Sequence, residues 1–139
     1  METILKITDV SEYKEKFEHV NIWSDNWEGF IIQTTKQEIK ILISNSSSCC
    51  ERWGHFSTND NLDDFIGAAI TGIKLTDTAL NTKKVELEIP YGCDGGEIQF
   101  VDIITNQGNL QFAVYNKHNG YYGHPIMIQS EQLIHVSRL

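Results

Sequence analysis

The sequence predicts a mainly β (or α+β) fold: an antiparallel curled sheet or small sandwich of seven or eight short strands, with one or two short helices. Three observations carry this. Apolar and polar residues alternate over short runs, as in Val85, Leu87, Ile89 and again through 97–116. Those runs are rich in β-branched and aromatic residues. Turn signals such as Asn-Gln-Gly-Asn at 106–109 separate them, and only two prolines are present.

Taken in order, "SEYKEKFEHV" (11–20) reads as a short helix, with Ser11 as N-cap and Tyr13 and Phe17 at i, i+4. The run "FIIQTTKQEIKILISN" (30–45) is broken by "TTKQ" and reads as strand, turn, strand. "NDNLDDFIG" (59–67) reads as one or two helical turns, capped by Asn59 or Asp60 and stopped by Gly67. A strand over 69–78 follows, and a half-buried strand over 83–90 that Pro90 closes. Residues 97–116 form a hairpin around "NQGN", and 125–139 give one or two final strands.

Residues 34–45 and 105–116 align without gaps: each runs Thr, turn, apolar alternation, Asn. Each is followed by a segment ending in Gly-His, at Gly54-His55 and Gly123-His124. The pattern raises an internal hairpin repeat, 34–55 and 105–124, within a single domain over 1–139; chance alignment is the alternative.

Composition limits the function classes. With 139 residues and 40% hydrophobic content the chain can bury a core. No apolar run of about 18 residues marks a membrane span, and the N-terminus lacks the basic and apolar regions of a signal peptide. The formal net charge of −8, with eleven scattered Lys and Arg, argues against long nucleic acid, which needs a basic stripe. It suits solubility or a basic partner surface. Cysteines at 49, 50 and 93 make an odd count that fits a reduced, cytoplasmic setting.

Two segments hold the chemistry-bearing residues. In "SSSCCERWGHF" (46–56), Cys49, Cys50 and His55 are soft-ligand types, but adjacent cysteines point to opposite sides of an extended chain, which makes chelation of one zinc by both awkward. No metal and no cofactor is therefore expected. A hydrolase built on Cys50, His55 and His118 is the weakest reading, since no oxyanion loop accompanies it. In "YNKHNGYYGHP" (115–125), Asn119-Gly120 is the favoured pair for a tight turn with φ > 0. A plain hairpin turn, with tyrosines on the sheet rim, is one reading. The other is a binding site: Tyr121 and Tyr122 offer faces for stacking, and His118 and His124 offer hydrogen bonds. The candidate ligand-binding set is Arg52, Trp53, His55, Asn116, His118, Asn119, Gly120, Tyr121, Tyr122 and His124, with no catalytic residue assigned. Asp60, Asp63 and Asp64 are explained by the first turn of a helix.

Three stretches together, "CCERWG" (49–54), "LDDFIGAAITGIKLTDT" (62–78) and "TNQGNLQFAVYNKHNGYYGH" (105–124), resemble a family of small uncharacterised proteins of bacteriophages and bacterial genomes. Its marks are a Cys-Cys pair shortly before Trp, Leu-x-x-x-Ile-Gly, and Asn-Gly-Tyr-Tyr-Gly. Members more often carry Asp before the cysteines and a second Gly after Tyr-Tyr-Gly, where this chain has Ser48 and His124. The resemblance carries no activity. It implies a small intracellular, often phage-associated protein. Two expectations follow. One is a non-enzymatic, counter-defence binder that sequesters a nucleotide-like signalling ligand. The alternative is an acidic inhibitor docking on a basic host protein. Aromatic rims on a small β domain favour a homo-oligomer.

Overall fold

The computed structural model describes residues 1–17, 24–45, 51–88, 97–118 and 124–139, with the backbone alone at Glu51 and His118. Its elements are β1 (Ile4–Lys14), β2 (Asn26–Thr34), β3 (Glu38–Ser44), β4 (Glu51–Ser57), a 3-10 helix (Leu62–Phe65), β5 (Ile70–Thr76), α1 (Thr82–Glu88), β6 (Glu97–Thr105), β7 (Gly108–His118), β8 (Pro125–Gln129) and β9 (Ile134–Arg138). One sheet has the order β1-β2-β3-β8-β9 and the other β4-β7-β6-β5. Every pairing between these strands is antiparallel. The mainly β expectation holds, in its sandwich form.

The period-2 patterns decide which faces meet. In β7, Leu110, Phe112 and Val114 are fully buried, and their register partners in β6 for the first two are Ile103 and Val101. From the opposite sheet Phe30, Ile32, Ile39, Ile41, Ile43, Ile126 and Ile128 close on them. Each fully buried side chain of this kind contributes roughly 1.5–3 kcal/mol. The sheets are also tied by backbone. Gly67 N donates to Ile4 O at 2.7 Å, Ile4 N to Ala68 O at 3.0 Å and Ile70 N to Glu2 O at 2.8 Å. The start of β1 thus borders the chain that enters β5.

The outer faces carry smaller apolar clusters. On the five-stranded sheet, Trp27, Leu42 and Met127 are buried beneath Val10, Tyr13 and Phe17. On the four-stranded sheet, Phe56, Phe100 and Ala113 lie under Ala79, Val85 and Ile98. The segment over that second face is pinned by buried Gln111. Its Nε2 donates to Thr78 O at 3.0 Å and Asp102 Oδ1 at 2.8 Å, and its Oε1 accepts from Thr58 Oγ1 at 3.0 Å and Leu80 N at 2.9 Å.

The two aligned Thr-to-Asn segments make their turns alike. Thr34 Oγ1 donates to Gln37 O at 3.1 Å, and Thr105 Oγ1 to Gly108 O at 2.6 Å. Each hydroxyl also accepts from the backbone N–H two residues on, at 3.1 Å in both cases.

Four local readings are corrected. Residues 11–14 continue β1 rather than starting a helix. Tyr13 and Phe17 do share a cluster, but Tyr13 lies in β1 and Phe17 in the irregular chain beyond it, not along a helix face. Residues 82–88 are a helix, not a strand. Asn81 Oδ1 accepts from Lys84 N at 3.2 Å, and Lys84 pairs with Glu88 at i, i+4. Of the apolar alternation there, Val85 packs down, while Leu87 is 83% exposed and Ile89 lies outside the described residues. The cap of the 3-10 helix is Asn61, which accepts from Asp63 N, and not Asn59 or Asp60. Glu51–Ser57, within the 46–56 segment that the sequence suggests is a loop, is a paired strand, so with β1 the described strands number nine.

Candidate functional site

Register places the inward side chains of β4. Trp53, His55 and Ser57 stand opposite Asn116, Val114 and Phe112 of β7, on the face that meets the other sheet. β4 is the edge strand of its sheet and packs over β2. His55 therefore inserts between the sheets at their margin. Its Nδ1 lies 2.7 Å from Glu28 Oε2 on β2, and its Nε2 lies 2.6 Å from Asp9 Oδ1 on β1. The side chain of His55 is 11% exposed, Glu28 19% and Asp9 66%. The edge of the imidazole meets the Phe30 ring at 5.1 Å and 86°.

The acids reach this place by strand phase. Asp9 follows Ile7 at i+2 on β1 and is paired with Phe30. Glu28 precedes Phe30 and Ile32 at the same spacing on β2. Each is a charged residue next in phase to an apolar inward residue. Burial pushes the imidazolium down, but hydrogen bonds to Glu28 and Asp9 and their negative charge outweigh it, so His55 is held above its ordinary 6.5. Both ring nitrogens facing carboxylates is the geometry of the doubly protonated ring, because only that form has two N–H donors.

His55 and Asp9 open on a groove of about 310 Å³. Phe30, Phe56 and Leu62 line it, together with Asp60 and Glu88. Its one lysine, Lys84, sits 3.5 Å from Glu88. Among the described residues no cluster of three or more His, Cys, Asp or Glu is arranged to hold a metal.

The sequence-selected residues divide. Trp53 and His124 come together: their rings stack at 4.9 Å and 21°. His124 is buried, its Nε2 donates to Ser44 O, and its backbone exchanges two bonds with Leu139, at 2.9 and 3.0 Å. Asn116 is buried beside them and donates from Nδ2 to Leu139 O at 3.0 Å. Its Oδ1 has no partner among the described residues. These three build the end of the sandwich. Arg52 is exposed on β4, next to Lys117 of β7 in register. The backbone of His118 extends β7 and pairs with Glu51. Asn119, Gly120, Tyr121 and Tyr122 lie outside the described residues, as do Cys49, Cys50 and Cys93. His55 stands apart from the Trp53–His124 stack, with partners the local sequence did not name. Asp9 and Glu28 lie 46 and 27 residues away along the chain.

A family described as a domain of unknown function, DUF7448, matches residues 2–128. The chain belongs to the DUF7448 family. That match takes in Asp9, Glu28, His55 and the whole lining of the groove. No curated protein and no solved structure matches the DUF7448 chain. Among its described residues no helix is long and apolar enough to cross a membrane.

Proposed function

We propose that this DUF7448 protein is a non-catalytic binding protein whose groove beside His55 takes a cationic group of a partner protein. The observation that carries the reading is the make-up of that groove. Asp9, Asp60 and Glu88 line it together with Phe30, Phe56 and Leu62; His55 is paired with Asp9 and Lys84 with Glu88, which leaves Asp60 to meet an incoming cation. A guanidinium or ammonium group on an apolar stem fits this combination: the stem lies on the aromatics and the charge meets Asp60. The overall charge of −8 steers such a partner in. The resemblance to phage-associated proteins supports a host-inhibitory or counter-defence role, with a basic host protein as the target.

The test is calorimetric titration with hexa-arginine, with hexa-glutamate as control. Saturable binding of the first alone, weakened by Asp60→Asn, is the expected result. Equal responses to both peptides, or none, sink the proposal.

A second reading, capture of a nucleotide-like ligand at Tyr121 and Tyr122, draws support from the anchoring on either side of them. Lys117 is held in the β4–β7 ladder and His124 by Leu139. Heating the purified protein and analysing the released material by mass spectrometry tests it. An intact nucleotide supports capture, and a blank across nucleotide panels removes it.

A further inference from the structure

We propose that His55 is a proton-operated latch between the two sheets: charged, it ties β1 to β4 through Asp9, and neutral, it keeps Glu28 and lets Asp9 go. The argument begins with donors. The imidazolium donates to Glu28 at 2.7 Å and to Asp9 at 2.6 Å. Neutral imidazole has one N–H and one lone pair, so one of the two carboxylates must then face a lone pair, and that contact is repulsive.

Burial decides which one. Glu28 is 19% exposed, so losing its hydrogen bond leaves a carboxylate half-desolvated. Asp9 is 66% exposed, and water replaces its bond at little cost. The remaining proton therefore stays on Nδ1, facing Glu28, and Nε2 is the nitrogen that deprotonates. Asp9 then swings to solvent. Its bond to His55 is the polar side-chain tie from this part of β1 to β4 among the described residues.

The other charged groups around the groove do not change that order. Asp60 and Glu88 are acids and favour the charged ring, and Lys84 sits 3.5 Å from Glu88. On the far side of the ring stands Phe30, which does not titrate. Tyr115, on the other face of the β4–β7 pair, is pushed up first by burial and then by Glu88 and Glu28, so it stays neutral through the range in which His55 titrates. The latch does not depend on what the groove takes up.

The experiment follows the imidazole nitrogens by long-range proton–nitrogen NMR from about pH 5 to 9, with amide exchange measured alongside. Three results are expected. His55 titrates above its ordinary 6.5. Its neutral form carries the proton on Nδ1. Exchange at the Asp9 and Val10 amides quickens past the midpoint by more than the intrinsic base-catalysed rise, while Ile41 does not follow. Titration at or below the ordinary value, a proton on Nε2 in the neutral form, or Asp9 exchange that merely tracks Ile41 overturns the latch. Asp9→Asn, at an exposed position, should keep the fold, lower the His55 midpoint and leave the Nδ1 tautomer in place; an unchanged midpoint counts against the proposal. His55→Gln should erase the pH break in exchange at Asp9. If that variant does not fold, Asp9→Asn decides alone.

Discussion

Trp53 lies nearly flat on His124, with ring centroids 4.9 Å apart and planes 21° from parallel. The contact joins β4 of one sheet to the residue that leads into β8 of the other. His124 is in turn bonded through its backbone to Leu139, whose carbonyl also accepts from buried Asn116, so the stack bridges the two sheets beside that network.

That placement makes Trp53 a structural residue before it is a ligand residue. Trp53→Ala should cost about 2–4 kcal/mol, the lower part of the range for a large aromatic because the ring is only partly buried. Trp53→Phe should recover about half of that by keeping a ring on His124. Urea denaturation midpoints check both. A cost within about 0.5 kcal/mol of zero, typical of a surface change, would show that the stack holds nothing.

Gln111 predicts a different response. Its side-chain bonds run to Thr78 and Leu80 of the segment over the outer face, to Thr58 and to Asp102. Gln111→Leu keeps the volume but leaves Thr58, Leu80 N, Thr78 O and Asp102 without that partner, so it should cost roughly 1–3 kcal/mol. Gln111→Glu should cost more, because a second carboxylate then faces Asp102. Limited proteolysis within 77–81 should quicken in both variants before global unfolding does.

These two residues show how much the chain disclosed in advance. The Leu110, Phe112, Val114 alternation and the Thr-led turns are local, and they were legible as a hairpin. The residues 82–88 were not. Val85, Leu87 and Ile89 alternate as a strand does, but what decided the matter was a cap at Asn81 and a Lys84–Glu88 pair, signals of the other period. The site failed for a related reason. His55 stood out because it lies in a dense local motif. Its partners are ordinary acids in distant strands, and only the register of β1 and β2 puts them on the inward rows. A usable signal did exist: one acid on the apolar phase of each strand, Asp9 beside Ile7 and Glu28 beside Phe30. The Trp53–His124 stack was half-legible, since both residues belong to the Gly-His segments, but the stacking itself depends on how the sheets close.

Gly29 is a position where the backbone leaves no choice. Its φ is +146°, and a Cβ there would lie 2.0 Å from the carbonyl oxygen of Ile41. That oxygen belongs to the β2–β3 ladder and cannot move aside alone. Gly29→Ala should therefore cost roughly 3 kcal/mol or more, from both strain and a broken ladder. Gly67→Ala is the comparison: its φ is also positive, at +86°, but nothing lies within 4 Å of the added carbon. It should cost about 1 kcal/mol, as for an L-residue in a left-handed turn. Thermal denaturation of the pair separates crowding from conformation.

His55 sets the pH dependence of stability, and the sign is fixed by its raised value. A group held above its unfolded value stabilises fully below that unfolded value, about 6.5, and the gain is lost as pH rises through the higher folded value. Each unit of elevation corresponds to about 1.4 kcal/mol, discounted here on the Asp9 side, where solvent screens the pair. The difference in stability between the wild type and His55→Gln should therefore be largest in mildly acidic buffer and shrink above neutrality. A difference that grows with pH would reverse the assignment. The same titration should reach the groove. Once His55 is neutral, Asp9 is no longer matched by an internal cation, so hexa-arginine should bind more tightly above the His55 midpoint than below it. Asp9→Asn together with Asp60→Asn should weaken binding by roughly fivefold to thirtyfold, two carboxylates at about 0.5–1 kcal/mol each. Added salt should erode the wild-type affinity more than that of the double variant. If affinity is flat across the midpoint while NMR still shows Asp9 released, the latch stands and the groove is not where the cation binds.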